Sequence, residues 1–134
     1  MPQVSQNKLD KESEEKILST LHLILANISH AQDMQTFLFS FLTPTEQLML
    51  AKRLAAIILI EEGNTDSEVA TSLHTTRMTV GKLRYLVEAR PESFEITNKI
   101  LQNETIRKAV KEAFSELGGY MARAIGGRVK STIL

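Results

Sequence analysis

The segment TPTEQLMLAKRLAAIILIEEG, Thr43 to Gly63, constrains the fold of this chain more than any other. Thr43 can cap a helix, Pro44 fits the first helical position, and Glu46 can return a bond to the cap backbone. Gly63 suits the left-handed position just past a helix C-terminus. The spacing therefore predicts one helix running from Thr43 to Gly63. From Leu48 to Ile60 it is apolar nearly all round, with Lys52 and Arg53 as interruptions. Such a helix must be covered on most of its sides. A chain of 134 residues has few spare elements for that task, and a second subunit is a reasonable source of cover.

Helical spacing dominates elsewhere too. After a polar start over residues 1–9, expected to be disordered, Asp10 is a candidate N-cap. Ile17, Leu21, Ile24, Leu25 and Ile28 then recur at helical period. Met34, Phe37, Leu38 and Phe41 predict a helix over 31–41. TDSE, Thr65 to Glu68, is a second capping box, opening a short helix to about Leu73. Another helix follows from Thr75 or Thr76 to about Ala89. Pro91 opens a segment bearing Phe94, Ile100, Leu101, Ile106, Val110, Ala113, Phe114 and Leu117, which is one bent helix or two, stopped by Gly118-Gly119. No stretch alternates strictly enough to call for a strand. The expected class is all-α, with a helical domain over 10–117 and a basic tail over 118–134.

The chain has no cysteine, which excludes disulfides and thiolate metal sites. Its start lacks the apolar run of a signal peptide, and the longest apolar run, Leu54 to Ile60, is too short for a bilayer. A cytoplasmic protein without membrane contact is expected. His22, His30 and His74 are far apart and lack accompanying ligands, and GGYMARAIGG lacks the lysine of a phosphate loop. Neither catalysis nor a cofactor is expected.

The net charge is zero, yet it is unevenly spread. Residues 76–90 hold Arg77, Lys82, Arg84 and Arg90 against Glu88, a sum of +3; residues 118–134 add Arg123, Arg128 and Lys130, another +3. The rest of the chain carries −6. Such asymmetry is more informative than the total.

The first cationic segment lies inside DSEVATSLHTTRMTVGKLRY. Two short helices that project one of their number into a DNA groove need a buried apolar residue and a small one on the first, and apolar anchors on the second. Val69, Ala70 and Leu73 meet the first demand, and Val80 and Leu83 the second, with Leu86 and Val87 prolonging the stripe. His74 stands where glycine is commonest in such a turn. A helix-turn-helix over 65–89 is thus expected, with Thr75, Thr76, Arg77, Met78, Gly81, Lys82 and Arg84 as candidate DNA contacts. Arg77 can bond a guanine edge or a phosphate, Thr76 a base or the backbone, and Met78 can make apolar contact. Gly81 would let the helix approach the duplex closely, while Lys82 and Arg84 would hold phosphates.

From Leu42 to Leu86, about a third of the chain, the sequence resembles the Trp repressor superfamily. Leu42 to Pro44, Glu46, Arg53 and Gly63 match its long-helix pattern. Gly63 to Thr65, followed by a compact two-helix unit, is closer to the Trp-repressor-related proteins of the YerC/YecD type. The resemblance implies an intertwined helical homodimer with two reading heads about 34 Å apart, facing a palindromic stretch of double-stranded DNA. It further implies that Thr43 and Arg53 correspond to residues holding a small-molecule effector, with Lys82 the nearest counterpart of a second arginine. Simpler roles for these residues are capping for Thr43 and an ion pair with Glu46, or with an acid of the partner subunit, for Arg53. The expected function is that of a homodimeric, sequence-specific DNA-binding transcriptional regulator, a repressor. The alternative is a helical dimer that serves protein interaction and does not read DNA.

Overall fold

The structure is a computed structural model and describes residues 8–117. The expected disorder of the first residues, the Gly118-Gly119 stop and the basic tail fall, apart from Lys8 and Leu9, outside the described residues.

All regular structure among the described residues is helical. Helix α1, Lys11–Ala26, starts where Asp10 accepts a bond from the Ser13 N–H at 2.7 Å. Helix α2 spans Ala31–Phe41, and the Phe37 and Phe41 rings stack along it at 5.0 Å. Helix α3, Pro44–Glu61, opens on the expected reciprocal cap: the Thr43 hydroxyl accepts from the Glu46 N–H at 3.1 Å, and the Glu46 carboxylate from the Thr43 N–H at 2.8 Å. It closes at Gly63, whose φ of 95° belongs to the left-handed region. The Asn64 side chain seals that end by donating to the Leu59 carbonyl at 2.9 Å.

Helix α4, Asp66–Leu73, carries the Thr65–Glu68 capping box, and α5, Arg77–Ala89, begins at an N-cap supplied by Thr76. The segment after Pro91 resolves into two helices, α6 (Glu92–Ile100) and α7 (Glu104–Phe114). What divides them is Asn103, whose side-chain oxygen accepts from the Thr105 and Ile106 N–H groups at 2.9 and 3.2 Å. A side-chain acceptor at that point satisfies the free donors of a new helix start.

Contacts divide the chain into two units, one ending at Gln47 and one beginning at Leu48. In the first, neither α1 nor α2 buries a single residue; Ile17, Leu18, Leu23, Ile24, Phe39 and Phe41 are all exposed. In the second, the C-terminal half of α3 is enclosed on every side, since Ala56, Ile57, Ile58, Leu59 and Ile60 are buried in succession. Ala56, Leu59 and Ile60 pack with Val69, Ala70 and Leu73 of α4 and Val80 of α5. Ile58 turns to the other side, toward Leu101, Phe94 and Val110, and Phe114 of α7 packs against both groups. The all-round apolarity of this half is thus satisfied within the chain. Its N-terminal half is not: Leu48, Met49, Leu50 and Leu54 remain exposed.

Candidate nucleic-acid interface

Helices α4 and α5 are joined by three residues, His74 to Thr76. Val69 and Val80 are fully buried, and Leu73 and Val87 nearly so, so the two helices share one inner surface. The turn is tight because His74 takes a left-handed conformation, φ 54° and ψ 52°. The N–H groups of His74 and Thr75 both close on the Ala70 carbonyl. From α3, the Lys52 ammonium donates to the His74 carbonyl at 3.3 Å. This bond uses a cation that the sequence showed only as an interruption of an apolar helix.

The inner side of α5 is pinned a second time. Arg84 Nε donates to Asp66 Oδ1 at 2.7 Å, and Nη2 donates to the Asn64 carbonyl at 3.0 Å. Arg84 is half-buried in this arrangement. It therefore ties α5 to the start of α4, a different task from the phosphate contact expected of it. A Cβ added at Gly81 would lie 3.7 Å from Asp66 Oδ2, an ordinary van der Waals contact, so the packing of α4 on α5 does not require a glycine there.

The opposite side of α5 is open. At 100° per residue, Met78, Lys82 and Tyr85 fall on one strip diametrically opposed to Val80 and Val87. All three are exposed, Met78 at 72% and Tyr85 at 74%. Arg77 stands exposed at the helix start, and neither it nor Lys82 has an ion-pair partner among the described residues. The Thr76 hydroxyl is taken up by the cap: it accepts from the Thr79 N–H at 3.1 Å and donates to the Thr79 hydroxyl at 3.0 Å. Thr75 is half-buried in the turn. Tyr85 and Thr79, both exposed on α5, stand outside the expected contacts, although the i, i+7 spacing of Met78 and Tyr85 is a sequence signal for the first.

Thr43 and Arg53 fall in different units. The Thr43 hydroxyl is engaged in its cap. Arg53 is exposed and has no ion pair among the described residues; Glu46, its suggested partner, bonds the Thr43 backbone instead. No group of three or more His, Cys, Asp or Glu among the described residues could hold a metal ion. No described helix is long and apolar enough to cross a membrane. Compared with known protein families, curated proteins and solved structures, the chain matches none.

Proposed function

We propose that this chain is a sequence-specific, DNA-binding transcriptional regulator of the Trp-repressor-like kind, a repressor acting as a homodimer, with α4 and α5 as its helix-turn-helix. The observation that carries this reading is the division of labour on α5. One side is anchored by Val80, Val87 and the Arg84–Asp66 pair, while the opposed strip presents Lys82 exposed and unpaired, and Arg77 is exposed and unpaired at the helix start. A helix with a free lysine on its outward strip and a free arginine at its exposed start suits a major groove, because cations hold phosphates and an arginine near the helix start can reach a base edge. Arg77, Met78 and Lys82 carry the proposed contacts; Arg84 acts behind them.

The homodimer is supported by the uncovered apolar residues of α1, α2 and the first half of α3. Two exposed amphipathic helices without a buried residue need a partner surface, and a second copy supplies an equally apolar one. Two heads on such a dimer favour a two-fold symmetric site.

Selection of bound sequences from random duplex DNA by the full chain tests the reading. A palindromic motif should emerge. Arg77→Ala should relax its sequence preference, whereas Lys82→Ala should weaken all sequences alike. Failure to enrich any motif would leave the alternative, a helical dimer for protein interaction, which the same uncovered apolar surface favours.

A further inference from the structure

We infer that Met78 is the residue of α5 that detects a thymine, through its 5-methyl group, beside the base contacted by Arg77. The inference rests on the DNA-binding reading above and deepens it by naming the kind of half-site recognised.

In the major groove the four bases call for different side chains. Adenine is read by the paired donor and acceptor of Asn or Gln, and cytosine by the acceptors of Asp or Glu. Guanine is read by Arg or Lys, and thymine by apolar contact with its methyl group. Helix α5, RMTVGKLRYLVEA, contains no Asn, Gln or Asp. Its one acid, Glu88, lies in the last turn, eleven residues beyond Arg77 and thus roughly 16 Å along the axis from the helix start. The amides that pair two bonds with adenine and the carboxylates that accept from cytosine are therefore missing from the part of the helix that enters a groove, and Thr79, exposed there, can bond more than one base without choosing between them.

The structure narrows the remaining set further. Arg84 is committed to Asp66 and Asn64, and the Thr76 hydroxyl to Thr79. Arg77 is left as the guanine reader, with Lys82 one turn on, suited to a phosphate as a point charge. Beside Arg77, in the first turn, stands Met78, 72% exposed and covered by no other part of the described chain. Its flexible thioether offers no hydrogen-bond donor and adapts to apolar surface. In the major groove the apolar group presented by a base edge is the thymine methyl. An exposed apolar side chain next to the candidate guanine reader thus matches a half-site in which a thymine neighbours the guanine.

The experiment uses the full chain and a duplex obtained by selection from a random pool. Each thymine of that duplex is replaced singly by uracil, which removes the methyl group and leaves the pairing edge intact. One symmetric position per half-site should respond with about fourfold weaker binding, the worth of one buried methyl-sized group. Met78→Ala should weaken the thymine duplex by a similar factor and abolish the difference between thymine and uracil there. Met78→Leu, which keeps an apolar body, should retain the difference, and circular dichroism should show all three proteins equally helical. Sequence-specific binding that ignores every methyl group, or an equal response in wild type and Met78→Ala, would overturn the inference while leaving DNA binding intact. Failure of the chain to hold any duplex would overturn both.

Discussion

Arg84 Nε sits 2.7 Å from Asp66 Oδ1, joining the middle of α5 to the first turn of α4 across 18 residues of chain. With side chains 32% and 38% exposed, the pair is neither buried nor freely solvated. The ionic contact alone is worth at most about 1 kcal/mol at such exposure. The second bond, to the Asn64 carbonyl, adds to it, so Arg84→Ala should lower stability by about 1–2 kcal/mol. Arg84→Lys should recover only part, since a lysine cannot span both acceptors with a planar fork. A double-mutant cycle with Asp66→Ala, read by denaturant unfolding, measures the coupling. In DNA binding, Arg84→Ala should leave the salt dependence unchanged, whereas Lys82→Ala should reduce the slope of log affinity against log salt by about one.

His74 provides a test of the turn. A left-handed backbone costs a non-glycine residue roughly 1–2 kcal/mol, and the His74 side chain is exposed. The bond from Lys52 goes to its carbonyl, which any residue supplies. His74→Gly should therefore raise thermal stability, by about 0.5–1 kcal/mol after the greater freedom of glycine in the unfolded chain is subtracted. A loss of stability on this change would show that the histidine ring contributes something its exposure conceals.

Asp10 should make the start of α1 sensitive to acid. The Ser13 backbone N–H, and then the Ser13 side chain, hold its carboxyl below the usual aspartate range. A lowered folded value means the cap contributes fully above the ordinary unfolded value and is lost as pH falls through the folded one. The Ser13 amide should thus lose hydrogen-exchange protection only in strong acid, and Asp10→Asn should remove that dependence. Protection of Ser13 independent of pH in wild type would contradict the capping role.

The uncovered residues of α1 and α2 bear on assembly. Phe39 is 75% and Leu23 63% exposed within one chain. Sedimentation equilibrium should give twice the 15.0 kDa of the chain, and Leu23→Glu with Phe39→Glu should shift it toward the single-chain mass. A wild-type protein that sediments as one chain would refute the homodimer.

What could be read from the residues, and what could not, divides along physical lines. The caps at Asp10, Thr43 and Thr65 and the stop at Gly63 depend on neighbours three residues away or fewer, so their chemistry is written locally. The inner stripe Val69, Leu73, Val80 and Val87 is legible for another reason, since its spacings of four and seven follow the helical period. The Asn103 cap was overlooked because helical spacing continues through it, and spacing alone does not distinguish one bent helix from two. The tasks of Arg84 and Lys52 were not legible, since each depends on a partner 18 to 22 residues away. A cation on a helix looks the same in sequence whether it faces a phosphate or the aspartate of its neighbour.

Contact of duplex DNA with the exposed strip of α5 is open to amide and side-chain NMR of the labelled full chain during titration with its selected duplex. The largest shifts should fall at Met78, Lys82 and Tyr85 and at Arg77 at the helix start, with Val80 and Val87 moving far less. Shifts that spare α5 and gather on another element, or none at any duplex concentration, would contradict that contact.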